Sequence, residues 1–251
     1  MKPSSRIIVA VAGSALLILL LNTCGIEQII PQLQKPSNGG EYGGGFVFDK
    51  TIYNSEAEFS GFDLYYKMYL ADADVTADTD DIVEFADLGA NGFRRIHASD
   101  DIKSNIQRPL IRIQLNDRTP LAVPPDNDAF TLTVDFSGTP DLEEPFPKIV
   151  DDGNTDLIDA GDTPLADPPP ILIEITDIRR DVLDSVDDSY KRFSDFSDGD
   201  ADIDTDIWEE IDLGFEVKIV LYAVSYGYDI FNFRSLYSEP EKLGELVRTF
   251  P

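Results

Sequence analysis

The run Asp198-Gly-Asp-Ala-Asp-Ile-Asp-Thr-Asp206 places five carboxylates at every second position. In an extended loop alternate side chains project to one side. Hard oxygen donors gathered there suit Ca2+, which takes about six to eight oxygen ligands. Asp198, Asp200, Asp202, Asp204 and Asp206 are therefore the candidate metal ligands, and Ca2+ is the one cofactor the sequence suggests. A second acidic loop, Asp152 to Asp162, offers Asp152, Asn154 and Asp156 at the first, third and fifth positions of a calcium loop. It has Leu157 where such a loop needs glycine and Thr163 where it needs a bidentate Glu. In a chain with 34 Asp, runs of this kind also arise as a plain solvated acidic face.

His97 is the only histidine, which excludes a metal centre built on several histidines. A Ser–His–Asp arrangement would need His97, but no Gly-x-Ser-x-Gly elbow accompanies it, and a strand-end or loop histidine is the better reading. Pairs of acids that could hydrolyse a glycosidic bond are too numerous to single one out. The glycines of Gly39 to Gly45 lack the following Lys-Ser/Thr of a phosphate-binding loop.

Cys24, the only cysteine, follows Lys2, Arg6 and the uncharged apolar run Ile7 to Leu21, through the short step Asn22-Thr23. The run is 15 residues long, below the roughly 20 needed to cross a bilayer core. Basic flank, apolar stretch and short polar step are the order of a secretory signal. With Leu21 and Cys24 in place, the segment resembles the export signal of a bacterial lipoprotein, although Asn22 and Thr23 are looser than the usual small residues. The resemblance implies lipidation of Cys24, removal of residues 1–23 and a membrane partner through the lipid. A diacylglyceryl group with a further N-acyl chain exceeds the two-chain minimum for stable anchoring. Gly25, not an acidic residue, follows the cysteine, which fits the outer membrane. An ordinary cleaved signal and an uncleaved anchor extending to Ile30 are the alternatives.

The chain has 251 residues and a formal charge of −28. Without Lys2 and Arg6 the remainder carries 18 basic and 48 acidic side chains, a charge of −30. That field repels nucleic acid and anionic lipid, so neither is expected as a ligand. The excess of Asp over Glu, 34 to 14, with only 9 Lys, is the bias of proteins that work in salt. The apolar fraction of 42% is enough to build a core.

The elements that must position these groups read as strands. Residues 24–45, with Pro31, Pro36 and five glycines at its end, reads as a flexible tether, and 46–251 as the folded domain. Within the domain, 45–48, 62–70, 93–97, 109–115, 130–136, 171–178 and 215–226 are β-type runs. Phe62, Leu64, Tyr66 and Met68 share one face, as do Phe130, Leu132, Val134 and Phe136, and Phe215, Val217, Ile219, Leu221 and Ala223. Such alternation predicts antiparallel sheets with one buried and one wet face. Short helices are predicted over 99–106 and 181–193, and a helical turn or two over 240–247. Residues 72–81, 141–170 and 195–206 are long acidic loops. Tyr65, Tyr69, Tyr222, Tyr226 and Tyr228 either fill the core or form an outer patch that stacks on a sugar or a protein. Trp208 is read as a core plug beside the acidic run.

Gly61-Phe-Asp-Leu-Tyr-Tyr-Lys-Met-Tyr-Leu70 resembles strand C of a fibronectin type III-like domain. Val217-Lys-Ile-Val-Leu-Tyr-Ala-Val-Ser-Tyr-Gly227, with Ser235 and Ser238-Glu-Pro240, resembles strands F and G. Behind a loose lipid signal, this is similar to spirochaete-type lipoproteins. The resemblance implies an antiparallel, immunoglobulin-like β-sandwich carrying long acidic insertions. It implies a non-catalytic binding or structural module of the cell envelope, lipid-anchored at the outer membrane, with a protein or carbohydrate ligand. A carbohydrate-active hydrolase using paired carboxylates and a Ca2+-dependent adhesin are the alternatives.

Overall fold

Branched and aromatic side chains at alternate positions fit a pleated surface, and the segments that carry them here are strands. The computed structural model describes residues 33–49, 59–98, 109–114, 131–136, 148–151, 172–174, 178–184, 189–229 and 232–250, all within one unit spanning Gln32–Pro251. The signal segment 1–23, Cys24, the 99–106 helix and the 152–162 calcium-like loop lie outside the described residues.

In chain order the first elements are β1 (Ser37–Tyr42), β2 (Gly45–Asp49), β3 (Phe59–Leu70), α1 (Thr76–Thr79), α2 (Phe85–Ala90), β4 (Arg94–Arg95) and β5 (His97–Ala98). Then come β6 (Ile111–Gln114), β7 (Thr131–Asp135), β8 (Lys148–Asp151), β9 (Leu172–Glu174), β10 (Ile178–Arg179), β11 (Leu183–Asp184) and β12 (Ser189–Tyr190). The last are α3 (Thr205–Asp212), β13 (Glu216–Asp229), β14 (Arg234–Tyr237) and β15 (Glu241–Thr249). The larger sheet has the order β14-β13-β3-β6-β9, with β15 also on β13 and β4 on β3. A second sheet has the order β1-β2-β7-β8, and β5–β10 and β11–β12 form short ladders. Every described pair is antiparallel.

One core draws on both sheets. Phe62, Leu64, Tyr66 and Met68 of β3 and Val217, Ile219, Leu221 and Ala223 of β13 bury with Phe46 and Phe48 of β2 and with Leu132, Val134 and Phe136. Phe130 lies outside the described residues and Phe215 is exposed. The predicted wet face of the larger sheet is covered as well. Tyr65, Val220, Tyr222 and Val224 form a second core with Val75, Leu88 and Phe93, from and around α1 and α2. The two longest strands are thus buried on both sides, which is why Val220 and Val224 interrupt the alternation.

Several sequence expectations need correction. The tether ends before residue 45, because Ser37–Tyr42 is a strand. Gly43 and Gly44, at φ 57° and 91°, are not linker residues but the turn that joins it to β2. The predicted 181–193 helix is the β11–β12 hairpin. It is held by Arg180 N–H to the Lys191 carbonyl and Lys191 N–H to the Val182 carbonyl, both 2.8 Å. The predicted helical turn at 240–247 is β15, drawn onto the edge of β13 that β3 leaves open. A bulge there, where Leu221 faces Gly244 and Tyr222 faces Lys242, sends Leu243 into the core. Helix α1 lies in the acidic loop 72–81, and β8 lies in the loop 141–170.

Candidate functional site

Successive residues of a strand point to opposite faces, and β4 uses this to send two arginines apart. Arg95, opposite Tyr65, reaches the buried Asp63 carboxylate at 3.0 Å. Arg94, opposite Tyr66, emerges on the other face, where Nη1 donates to Asp181 Oδ2 at 3.3 Å and Nη2 to the Ala201 carbonyl at 2.5 Å.

Below Arg94 lies Arg180, whose side chain is wholly buried. Nη1 donates to both oxygens of Asp202 at 2.8 and 3.0 Å, and Nη2 to Asp200 Oδ2 at 2.6 Å. Nε donates to the Arg192 carbonyl at 3.1 Å, Nη2 also meets the Asp195 carbonyl, and the guanidinium stacks 3.8 Å from the Phe196 ring centre. Five donors in a rigid fork satisfy this geometry in a way a lysine could not. Tyr66 completes the knot: its hydroxyl donates to Asp202 Oδ2 at 2.5 Å and accepts the Asp181 N–H at 3.0 Å. Burial, and then the Asp202 carboxylate, push the Tyr66 phenol well above its ordinary pKa. Asp200 Oδ1 also accepts from Lys191 Nζ at 2.7 Å and Ser197 Oγ at 2.9 Å. Burial alone would raise its pKa; the bonds from Arg180 and Lys191 outweigh it and hold the carboxyl below the usual value.

Beside this knot an open cleft of about 520 Å³ is lined by Arg94, Asp181, Leu183, Asp184, Tyr190 and Lys191, with Asp195 and the 199–201 turn closing one side. Behind the lining residue Asp181, His97 Nε2 donates to its Oδ1 at 2.9 Å. A carboxylate only accepts, which sets a proton on Nε2. The imidazole stacks on Tyr190 with centroids 3.8 Å apart and planes 9° apart. The expected strand-end position of His97 is what the fold shows, but its pairing with Asp181, 84 residues away, had no local signal. No local pattern marked Arg179, which faces His97 across the β10–β5 ladder, or Arg180, which follows it.

The five alternate carboxylates are not brought together. Asp200 and Asp202 are turned inward onto Arg180 and Lys191. Asp204 is the N-cap of α3, accepting the Ile207 N–H at 2.9 Å, and Asp206 lies in its first turn, where the helix dipole favours an acid. Asp198 is exposed in the turn before them. The local reason is that the run is not extended: it bends at Gly199, φ 85°, and then winds into α3. Among the described residues no group of three or more His, Cys, Asp or Glu is placed to hold a metal ion. Of the tyrosines, Tyr65, Tyr222 and Tyr226 are buried and Tyr69 is half-buried, so the core reading holds for these, while Tyr228 is exposed. Trp208 is half-buried on α3.

Neither a protein-family model, nor a curated protein, nor a solved structure matches this chain. What the cleft can do is therefore a matter of its own chemistry. Its cations Arg94 and Lys191 are already engaged by carboxylates and a carbonyl, its lining offers the Tyr190 ring and the Leu183 side chain, and its Asp200 is held from behind by the buried Arg180. No helix among the described residues is long and apolar enough to cross a membrane.

Proposed function

We propose that this chain is a lipid-anchored cell-envelope protein whose β-sandwich is a non-catalytic binding module. The observation that carries the binding role is the Arg180 knot. Five hydrogen bonds from the fully buried Arg180 side chain, with two more through the Tyr66 hydroxyl, fix Asp181, Asp200 and Asp202 beside the cleft in one geometry. Preset donors lose little freedom on binding, which is what a recognition surface needs. The ligand class that suits Arg94, Asp181, Asp184 and the Tyr190 ring is a neutral, hydroxyl-rich one, such as a glycan. The strong negative charge argues against an anionic partner.

The fibronectin-like reading is supported by the pairing of the two resembling segments along most of their length, β3 on β13, with β14 on the other edge of β13. Strands C, F and G adjoin one another in such sandwiches. The anchor rests on the sequence around Cys24. Mass spectrometry of the protein extracted from its native membranes is the test. The expected N-terminal peptide begins at Cys24 and carries acyl chains; a peptide that still begins at Met1, from the soluble fraction, overturns the anchored reading. For the cleft, a glycan array should show binding that the Tyr190→Ala variant loses, and equal signals from the two proteins would overturn it.

A further inference from the structure

The polar side chains of the cleft are not equally available to a ligand. Asp200 is full: its two oxygens accept from Lys191 Nζ, Ser197 Oγ, Arg180 Nη2 and the Ser197 N–H, at 2.6 to 3.1 Å. A carboxylate has about four acceptor sites, so nothing remains there. Lys191 bonds both Ser197 and Asp200, and its side chain is only 13% exposed. Arg94 and Asp181 differ. Their side chains are 35% and 34% exposed, and both line the cleft. Asp181 accepts one bond on each oxygen, from Arg94 Nη1 and His97 Nε2, which leaves about two acceptor sites. Arg94 meets Asp181 Oδ2, the Asp181 carbonyl and the Ala201 carbonyl, so at least two of its five N–H groups are uncommitted. A donor and an acceptor with capacity to spare thus adjoin, with Nη1 and Oδ2 3.3 Å apart.

The pair is also held still. Asp181 follows the wholly buried Arg180 in the chain, its N–H donates to the Tyr66 hydroxyl at 3.0 Å, and His97 holds its other carboxylate oxygen at 2.9 Å. Arg94 is tied to the Ala201 carbonyl at 2.5 Å. Groups set in this way lose little freedom when a ligand arrives. A donor and an acceptor about one hydrogen bond apart match two neighbouring hydroxyls. One hydroxyl oxygen accepts from the guanidinium, and the next donates its proton to the carboxylate, since a hydroxyl can do both. Bonds to ionised groups are the stronger kind. An anionic ligand is repelled by Asp181 and a cationic one by Arg94, so the pair selects a neutral partner that both gives and takes protons in hydrogen bonds.

We infer that Arg94 and Asp181 read a vicinal diol, the two adjacent hydroxyls of a sugar ring, and so set which glycans the cleft accepts. The inference rests on the proposed glycan-binding role of the cleft and narrows it. Polymers whose linkage leaves adjacent hydroxyls in every unit, such as 1,4-linked glucan, mannan and xylan, carry the feature. A 1,3-linked glucan, whose chain units have no adjacent pair, lacks it. A site built to bond a hydroxyl rejects a ligand without one far more strongly than an apolar pocket rejects a missing methylene. Both groups are partly exposed, so water restores some of the lost bonding. A preference of about tenfold is therefore expected, below the factors of a fully buried site.

The test immobilises these polymers in pairs, one untreated and one oxidised with periodate and then reduced with borohydride. Periodate breaks the carbon–carbon bond of a vicinal diol and spares isolated hydroxyls. The full chain should bind at least one 1,4-linked polymer, lose about tenfold on its oxidised partner, and prefer it to the 1,3-linked glucan by a similar factor. The change is made in the probe, so the fold of the protein is not disturbed. Arg94→Lys, which keeps the charge and loses the fork, should weaken binding to the untreated polymer. Binding that survives oxidation, equal binding to the 1,3-linked glucan, or an unaffected Arg94→Lys variant overturns the diol and leaves the glycan reading standing. Preference for N-acetylglucosamine oligomers, which carry an amide in place of one of the two hydroxyls, assigns the pair to an amide and also overturns it. A folded parent that binds none of these polymers and nothing on a wider glycan array sinks the glycan reading and this inference together.

Discussion

The Tyr66 hydroxyl meets Asp202 Oδ2 at 2.5 Å across 136 residues of sequence, and through it the centre of β3 is bonded to the acidic loop. Arg180 closes the same contact from the other side. The acidic loop is thereby part of the fold and not an appendage of it.

Arg180→Met is expected to destabilise the domain by about 3–5 kcal/mol, because it leaves the buried Asp200 and Asp202 without their cation. Adding Asp200→Asn and Asp202→Asn should recover part of the loss, since neutral amides tolerate the missing charge. Chemical denaturation of the two variants gives both numbers. A single variant as stable as the parent would show that the knot is dispensable.

Acid should unfold the protein through Asp200. Its folded pKa lies below the ordinary 3.8, as does that of Asp78, bonded by Lys67, and that of Glu245, bonded by Lys242, lies below its own ordinary 4.5. A depressed carboxylate contributes stability that is complete above its unfolded value and is lost as pH falls through the folded one. The melting temperature should hold from pH 7 to about 5 and fall below about 4. Asp200→Asn should lower the plateau and flatten the fall. An unchanged slope in that variant would count against the assignment.

Two glycines separate backbone strain from crowding. Gly61 has a φ of 148°, and a Cβ there would lie 1.9 Å from the Ile111 carbonyl oxygen, where β3 bulges past β13 and meets β6. Gly43 has a φ of 57° with nothing within 4 Å. Gly43→Ala is expected to cost about 1 kcal/mol, from the left-handed backbone alone. Gly61→Ala should cost several times more, because backbone atoms must move. Comparable melting temperatures for the two would refute the clash.

A charge of −28 opposes compaction unless ions screen it. The melting temperature should therefore rise with NaCl from tens of millimolar to above 1 M, most steeply at the low end. Thermal melts across that series provide the measurement, and a flat or falling curve would contradict it.

What the sequence determined by itself was the inward set of each long strand. Phe62, Leu64, Tyr66 and Met68, and Val217 through Ala223, were legible because a period of two is a local property of the backbone. The excess of acid was legible in the same way. Tertiary structure decided what depends on partners distant in sequence. It made strands of Ser37–Tyr42, which reads as tether, and of Glu241–Thr249, which reads as a helical turn, because each finds a strand edge to pair with. It covered the second face of β3 and β13 with α1, α2 and Phe93, which no alternation could announce. It also turned an apparent row of calcium ligands into the partners of Arg180 and Lys191 and the cap of α3. A carboxylate's role is set by the nearest opposite charge in space, and here those cations lie on the neighbouring hairpin.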